Sequence, residues 1–156
     1  MQRSVILGGG MVAGYAAREL AALGIGPGAL TIVSQDAFLP YERPPLSKGL
    51  LAGREQVADI LINDEAFYRE HGITTMLETR VDRVDFDART LHLDGREHVT
   101  YEKLIIATGA RPRTLGVPGG DAARYLRTVE DAQAIRKAAA RSKRDVIVGG
   151  GFIGME

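Results

Sequence analysis

The sequence predicts an α/β fold: a parallel sheet carrying an antiparallel meander, followed by the start of a second α/β unit. Three observations predict it. Two short apolar runs, Ser4 to Leu7 and Val146 to Val148, each end in a triple glycine and pass into a helix-compatible segment. That is how a buried parallel strand turns into a helix. Strand, helix and strand follow one another at the N-terminus within about 30 residues, the length of a right-handed crossover unit. Between them and the second glycine turn, three further strand-like runs are separated by polar turns, as in a meander.

The elements follow in order. Ser4 to Leu7 is a buried strand, and Met11 to Leu23 a helix with Ala13, Ala16, Ala17 and Leu20 on one face. Gly24 stops it, Gly26-Pro27-Gly28 makes a turn, and Leu30 to Val33 is a second buried strand. Residues 36–53 read as loop, because Pro40, Pro44 and Pro45 oppose regular structure; a helical turn is expected to start at Ser47-Lys48. A short helix is expected from Asn63 to Glu70, ending at Gly72. Val81 to Phe86, Thr90 to Leu93 and Val99 to Thr100 form the meander. Alternation of Val81, Arg83 and Asp85 with Asp82, Val84 and Phe86 gives its first strand one wet face. Leu104 to Ala107 returns to a continuous apolar run. Arg111-Pro112 and Gly116 to Gly120 mark a linker, Val129 to Ala140 an alanine-rich amphipathic helix, and Val146 to Val148 the next buried strand.

Composition narrows the function classes. The 156 residues suffice for one ordinary core, and 45% apolar content is that of a soluble globular chain. Twenty basic and twenty acidic side chains cancel, so charge points to neither nucleic acid nor an anionic membrane. No apolar run approaches the roughly 18 residues of a membrane span. The first strand starts too early for a signal peptide to precede it, so a cytoplasmic protein is expected. The chain has no cysteine, which excludes disulfides, thiolate metal sites and redox dithiols within it. His71, His92 and His98 lack metal-ligand spacing, so no metal is expected.

In the first turn, Gly8, Gly10 and Ala13 occupy the G-x-G-x-x-G/A positions, with Gly9, Met11 and Val12 between them. Gly8 permits the tight turn, Gly10 leaves room for a pyrophosphate, and Ala13 lets the helix pack close to the strand. An anion there meets free backbone N–H groups and the positive end of the helix dipole. Asp36, about 20 residues further on and just beyond the second strand, is the expected acceptor from adenosine ribose hydroxyls, with Gln35 able to share the task. These residues point to a Rossmann-like dinucleotide site.

The segment Pro40-Tyr41-Glu42-Arg43-Pro44-Pro45-Leu46-Ser47-Lys48 is the most specific in the chain. It resembles the loop of the pyridine-nucleotide-dependent flavoprotein reductases. These include ferredoxin, rubredoxin, putidaredoxin and oxygenase-coupled reductases, apoptosis-inducing factor and monodehydroascorbate reductase. The resemblance implies that the loop packs on a flavin, with Lys48 beside the isoalloxazine and Arg43 at the phosphate or adenine end of FAD. Leu104 to Pro112, with Ala107, Thr108 and Gly109 at its turn, is similar to the family's second flavin-domain signature. The same resemblance maps a cofactor-contacting backbone position onto Val81 and a cofactor-contacting arginine onto Arg127. Gly149, Gly151 and Gly154 match the family's NADH or NADPH turn, and Glu156 a glutamate that ion-pairs with Lys48.

The implied architecture is a Rossmann-like FAD-binding domain over residues 1–112, then a linker and the start of an NAD(P)H-binding domain over 113–156. The chain would correspond to the first third of a family member. The implied activity is electron transfer from NAD(P)H through flavin to a separate acceptor, a ferredoxin-type protein or a small radical. Lys48 and Glu156 are the catalytic candidates. The double proline is typical of ferredoxin-type reductases. GGGMVAGYAAREL and PYERPPLSKGLL resemble monodehydroascorbate reductase closely, although the short stretch Leu51 to Asn63 lacks the insert usual in plant forms. Two further readings stay open: a non-catalytic flavin-binding fragment, and a dehydrogenase with one Rossmann domain, which leaves the proline–lysine loop and second turn unexplained.

Overall fold

The structure, a computed structural model, describes residues 3–95 and 97–156. It divides into two compact units: Met1–Tyr41 with Leu61–Gly109, and Glu42–Ile60 with Ala110–Glu156.

The first unit opens with β1 (Ser4–Leu7), α1 (Met11–Ala22) and β2 (Leu30–Val33). It continues with α2 (Glu65–Glu70), β3 (Thr74–Met76), β4 (Val81–Asp85), β5 (Thr90–Leu93), β6 (His98–Thr100) and β7 (Lys103–Ile106). One sheet has the order β3-β2-β1-β7, and every pair in it is parallel. Side chains alternate across its strands, so both faces are covered. On one face Ile6, Leu30 and Ile32 form a cluster with Ala13 and Ala17 of α1 and with Tyr68 of α2. On the other, Val5 and Val33 cluster with Leu91, Leu93 and Tyr101 from the meander side. Leu91 is fully buried there, which stabilises the unit by about 1.5–3 kcal/mol relative to an exposed leucine.

Strands β1 and β2 lie where the sequence predicts them, and α1 ends one residue early, with Leu23 as its cap. The short helix begins later than expected. Asp64 accepts the Phe67 N–H and caps it, so Asn63 stays outside α2. The edge strand β3 carries no sequence signal: Thr74-Thr75-Met76 is short and partly exposed, and pairing with β2 creates it.

The meander order is β4-β5-β6, antiparallel as expected. The expected alternation in β4 does not hold. The register shifts between Val81, opposite Leu93, and Arg83, opposite His92. That bulge turns both Val81 and Val84 toward the cluster of Leu91 and Leu93, while Phe86 lies past the strand and is 66% exposed.

The second unit contains α3 (Val129–Ala139) and α4 (Phe152–Met155), with short 3-10 turns at Pro44–Ser47, Val57–Ile60 and Gly120–Ala122. The first of these ends at Ser47 rather than starting there. Pro44 supplies the fixed φ that suits the first position of a helical turn. That turn packs against α3. Val146–Val148 forms no strand, contrary to the expectation: it is exposed, and among the described residues no strand pairs with it. A parallel strand exists only through its neighbours. No helix among the described residues is long and apolar enough to cross a membrane.

Candidate functional site

In the first unit the chain runs from β1 outward to β2 and β3, then returns as β7 on the opposite side of β1. Open α/β sheets bind ligands outside the strand ends at such a reversal. Here two distant motifs meet. The Gly8 N–H donates to the Val33 carbonyl at 2.8 Å, and the Ala107 N–H to the Leu7 carbonyl at 2.8 Å. The turn Gly8 to Gly10 and the segment Ala107 to Gly109 therefore leave neighbouring strands side by side. Gly8 has φ +119°, and a Cβ there would collide with the Ala107 carbonyl oxygen. Gly9 is buried against the Ser34 side chain, which a Cβ would strike. Gly10 is different: its φ −83° and ψ −169° are extended backbone open to any residue.

Gly10 is also the N-cap of α1, and no side chain caps that end; the first turn holds no acid. Among the described residues the N–H groups of Met11 and Val12 donate to no acceptor. Helices α2 and α3 are capped by Asp64 and by Thr128 with Asp131. The positive end of a 12-residue helix is thus left open at the glycine turn. Ala13 is fully buried against the sheet. Gly14 behind it is a requirement the sequence reading missed, since a Cβ would lie 2.9 Å from Ile62 and Pro40 side-chain atoms.

Asp36 follows β2 as expected and is half-buried, whereas Gln35 is exposed. The Asp36 carboxylate accepts from the Phe38 N–H at 3.2 Å on Oδ1 and from the Tyr41 hydroxyl at 3.1 Å on Oδ2. Its own N–H donates to Ser34 Oγ at 3.0 Å, and its carbonyl accepts from the Glu78 N–H at 3.0 Å. The chain past β3 runs beside Ser34 and Asp36 in this way before it enters β4 at Val81. Val81 itself is half-buried, its side chain turned to the meander cluster. Thr108 and Gly109 are exposed.

Asn63, at 7% exposure, donates from Nδ2 to the Gly14 carbonyl at 2.8 Å and accepts from Arg18 Nε at 2.9 Å. Arg18 also donates to the Ile62 carbonyl and lies over the Tyr15 ring. The loop that returns through residues 61–63 is tied to α1 by these groups. No motif announces them, because each contact joins residues more than 40 apart.

The second unit gathers its four predicted charged residues into two clusters. Arg43 Nη1 donates to the Arg127 carbonyl at 2.5 Å, and Arg127 Nε donates to the Ala110 carbonyl at 3.1 Å. Asp131 accepts the Arg127 and Thr128 N–H groups at 2.9 Å each, so the capping box of α3 also fixes the Arg127 backbone. In the other cluster, Lys48 Nζ lies 2.9 Å from Glu156 Oε1, and the Ser47 hydroxyl donates to Glu156 Oε2. These contacts hold the Glu156 carboxyl below the usual range, Ser47 contributing most and Lys48 next. Gly149 has φ +108° and Gly151 caps α4 with φ −75° and ψ 176°. These values repeat those of Gly8 and Gly10. Gly154 sits against the Gly149 carbonyl.

A glycine turn at the reversal point of a parallel sheet, an open helix N-terminus above it and an acid after the next strand are the arrangement of the Rossmann-like α/β class. The chain belongs to the pyridine nucleotide-disulphide oxidoreductase family, whose model matches residues 2–156. It is 43% identical to monodehydroascorbate reductase 4, peroxisomal, of Arabidopsis thaliana, across 97% of this chain and 35% of that protein. It is 38% identical to the ferredoxin–NAD(+) reductase component of the anthranilate 1,2-dioxygenase system of Burkholderia cepacia, across 97% and 38%. The crystal structure of NADH:rubredoxin oxidoreductase from Clostridium acetobutylicum superposes with a TM-score of 0.85 at 30% identity, covering 97% of this chain and 39% of that one. The chain thus spans little more than a third of the length of these relatives. It holds no cysteine, so the disulphide in the family's description has no counterpart in this stretch.

Proposed function

We propose that this chain forms the FAD-binding part, and the opening of the NAD(P)H-binding part, of an oxidoreductase that passes electrons from NAD(P)H through flavin to a separate acceptor. The observation that carries the reading is the convergence of Gly8 to Gly10, the open end of α1 and Asp36 at the carboxyl ends of adjacent parallel strands. The residues fit a dinucleotide. Met11 and Val12 offer backbone donors to a pyrophosphate, and Gly10, whose dihedrals do not demand glycine, leaves room in front of them. Asp36, with Gln35 beside it, offers acceptors to a ribose. Ala107 to Gly109 and Val81 supply backbone beside the same strand ends, and Arg43 and Arg127 supply cationic groups.

When bound, flavin supplies the capacity to take a hydride from nicotinamide and release electrons onward. Lys48 provides positive charge for a reduced flavin. Glu156, gripped through both oxygens, holds the Lys48 ammonium in place without taking its proton. Gly149, Gly151 and Gly154 begin the nicotinamide turn. The division at residues 112–113 and a cytoplasmic location belong to the same reading; cell fractionation checks the latter.

For the acceptor we favour a ferredoxin-type protein, on the double proline of the loop. The identity to monodehydroascorbate reductases favours a second reading, with a small organic radical as acceptor. Anaerobic addition of NADH to purified protein tests the core claim: a yellow protein bleached by NADH is expected, and a colourless one overturns it. Reoxidation by ferredoxin or by the monodehydroascorbate radical then separates the two acceptors. Flavin that binds but is not bleached points instead to a non-catalytic module.

A further inference from the structure

Resting on the reading of Asp36 as a ribose acceptor, we infer that Tyr41 is a positioning residue for the cofactor site, acting through the Asp36 carboxylate. The Tyr41 hydroxyl donates to Asp36 Oδ2 at 3.1 Å, while the Phe38 N–H holds Oδ1 at 3.2 Å. A carboxylate clasped on both oxygens is held against turning about its Cβ–Cγ bond, and a carboxylate has about four acceptor sites in all, more than these two donors use. Tyr41 is itself enclosed. It is 2% exposed, so the packing around the ring opposes its swinging away, and its backbone bridges Leu61 in antiparallel fashion. The backbone of Asp36 is equally fixed, by Ser34 Oγ and the Glu78 N–H.

The acid thus arrives with its lone pairs already oriented. A mobile carboxylate on a loop would lose rotamer freedom when it met the ribose; one held in advance does not. Tyr41 is the second residue of the proline-rich segment whose later residues Arg43 and Lys48 carry the resemblance to flavoprotein reductases. Its own part is separate from theirs: it shapes the acceptor for the nucleotide.

Replacing Tyr41 by Phe keeps the ring and removes only the clasp. FAD affinity, read by quenching of flavin fluorescence, should fall about 3- to 10-fold, the scale of one hydrogen bond to a charged group partly replaced by water. In an Asp36→Asn background the same substitution should change affinity little, because the carboxylate it acts through is gone. Discrimination between ADP and 2′,3′-dideoxy-ADP supplies a readout that general loosening would not move: Tyr41→Phe should weaken ADP and leave the dideoxy analogue unaffected. Equal weakening of both nucleotides, or additive effects in the double variant, overturns the inference alone. An Asp36→Asn variant that binds FAD as well as the parent overturns the ribose reading beneath it, as does a parent protein that takes up no FAD.

Discussion

The Lys48 ammonium lies 2.9 Å from a Glu156 carboxylate oxygen, and the neighbouring Ser47 hydroxyl donates to the other oxygen. Glu156 is therefore held from two consecutive residues of one loop. Its carboxyl is depressed, first by the Ser47 hydrogen bond and then by Lys48. A depressed acid contributes stability above its unfolded pKa and loses it as pH falls through the folded one. The pair should stay closed at neutral pH and open only below the ordinary glutamate range. A carbon-detected NMR titration of the Glu156 side chain checks this. Ser47→Ala and Lys48→Ala should each move the midpoint upward, and high salt should shrink the Lys48 effect, because that ion pair is largely exposed. A midpoint unmoved by Ser47→Ala would show that the hydroxyl does not hold the carboxylate.

Gly8 and Gly9 should fail on substitution for different reasons. Gly8→Ala places a Cβ against the Ala107 backbone at φ +119°, and should cost at least about 1–3 kcal/mol in denaturant unfolding. Gly9→Ala strikes a side chain instead, that of Ser34. The double variant Gly9→Ala, Ser34→Gly should recover part of the loss, whereas Ser34→Gly should not rescue Gly8→Ala. Equal rescue of both would contradict the packing described.

Asn63→Ala removes a buried amide that joins the Gly14 carbonyl to Arg18. The expected loss is about 1–3 kcal/mol, the scale of leaving buried polar groups without partners. Urea unfolding measures it, and an effect below a few tenths would mean water replaces the amide without penalty.

Thr128→Ala opens the capping box of α3, in which Thr128 and Asp131 each bond to the other's backbone. A loss of about 0.5–2 kcal/mol in helix or unit stability is expected. Asp131→Ala should do more to Arg127, because Asp131 also holds the Arg127 N–H. Amide hydrogen exchange at Arg127 separates the two variants.

What the sequence made legible and what it hid divide along one physical line. β1, α1 and β2 were readable because apolar period, glycine and proline act within a few residues of themselves. The glycine turn and the place of Asp36 just after β2 were readable for the same reason. β3 was not, since Thr74 to Met76 is a strand only through β2. The alternation in β4 failed where a single bulged residue between Val81 and Arg83 reset the faces. Val146 to Val148 shows the converse: a strand-like run without a neighbour remains irregular. The hydrogen bonds of Tyr41 and Asn63 and the close packing at Gly14 were not legible, because they are set by partners that the fold, not the local pattern, delivers.

The two glycine turns share one backbone shape, with φ +119° at Gly8 against +108° at Gly149, and both are followed by an extended glycine cap and a helix start. Yet only the first leaves a hydrogen-bonded strand. The bend is therefore a property of its own few residues and does not depend on a paired strand before it, so its backbone requirement at Gly149 should match that at Gly8.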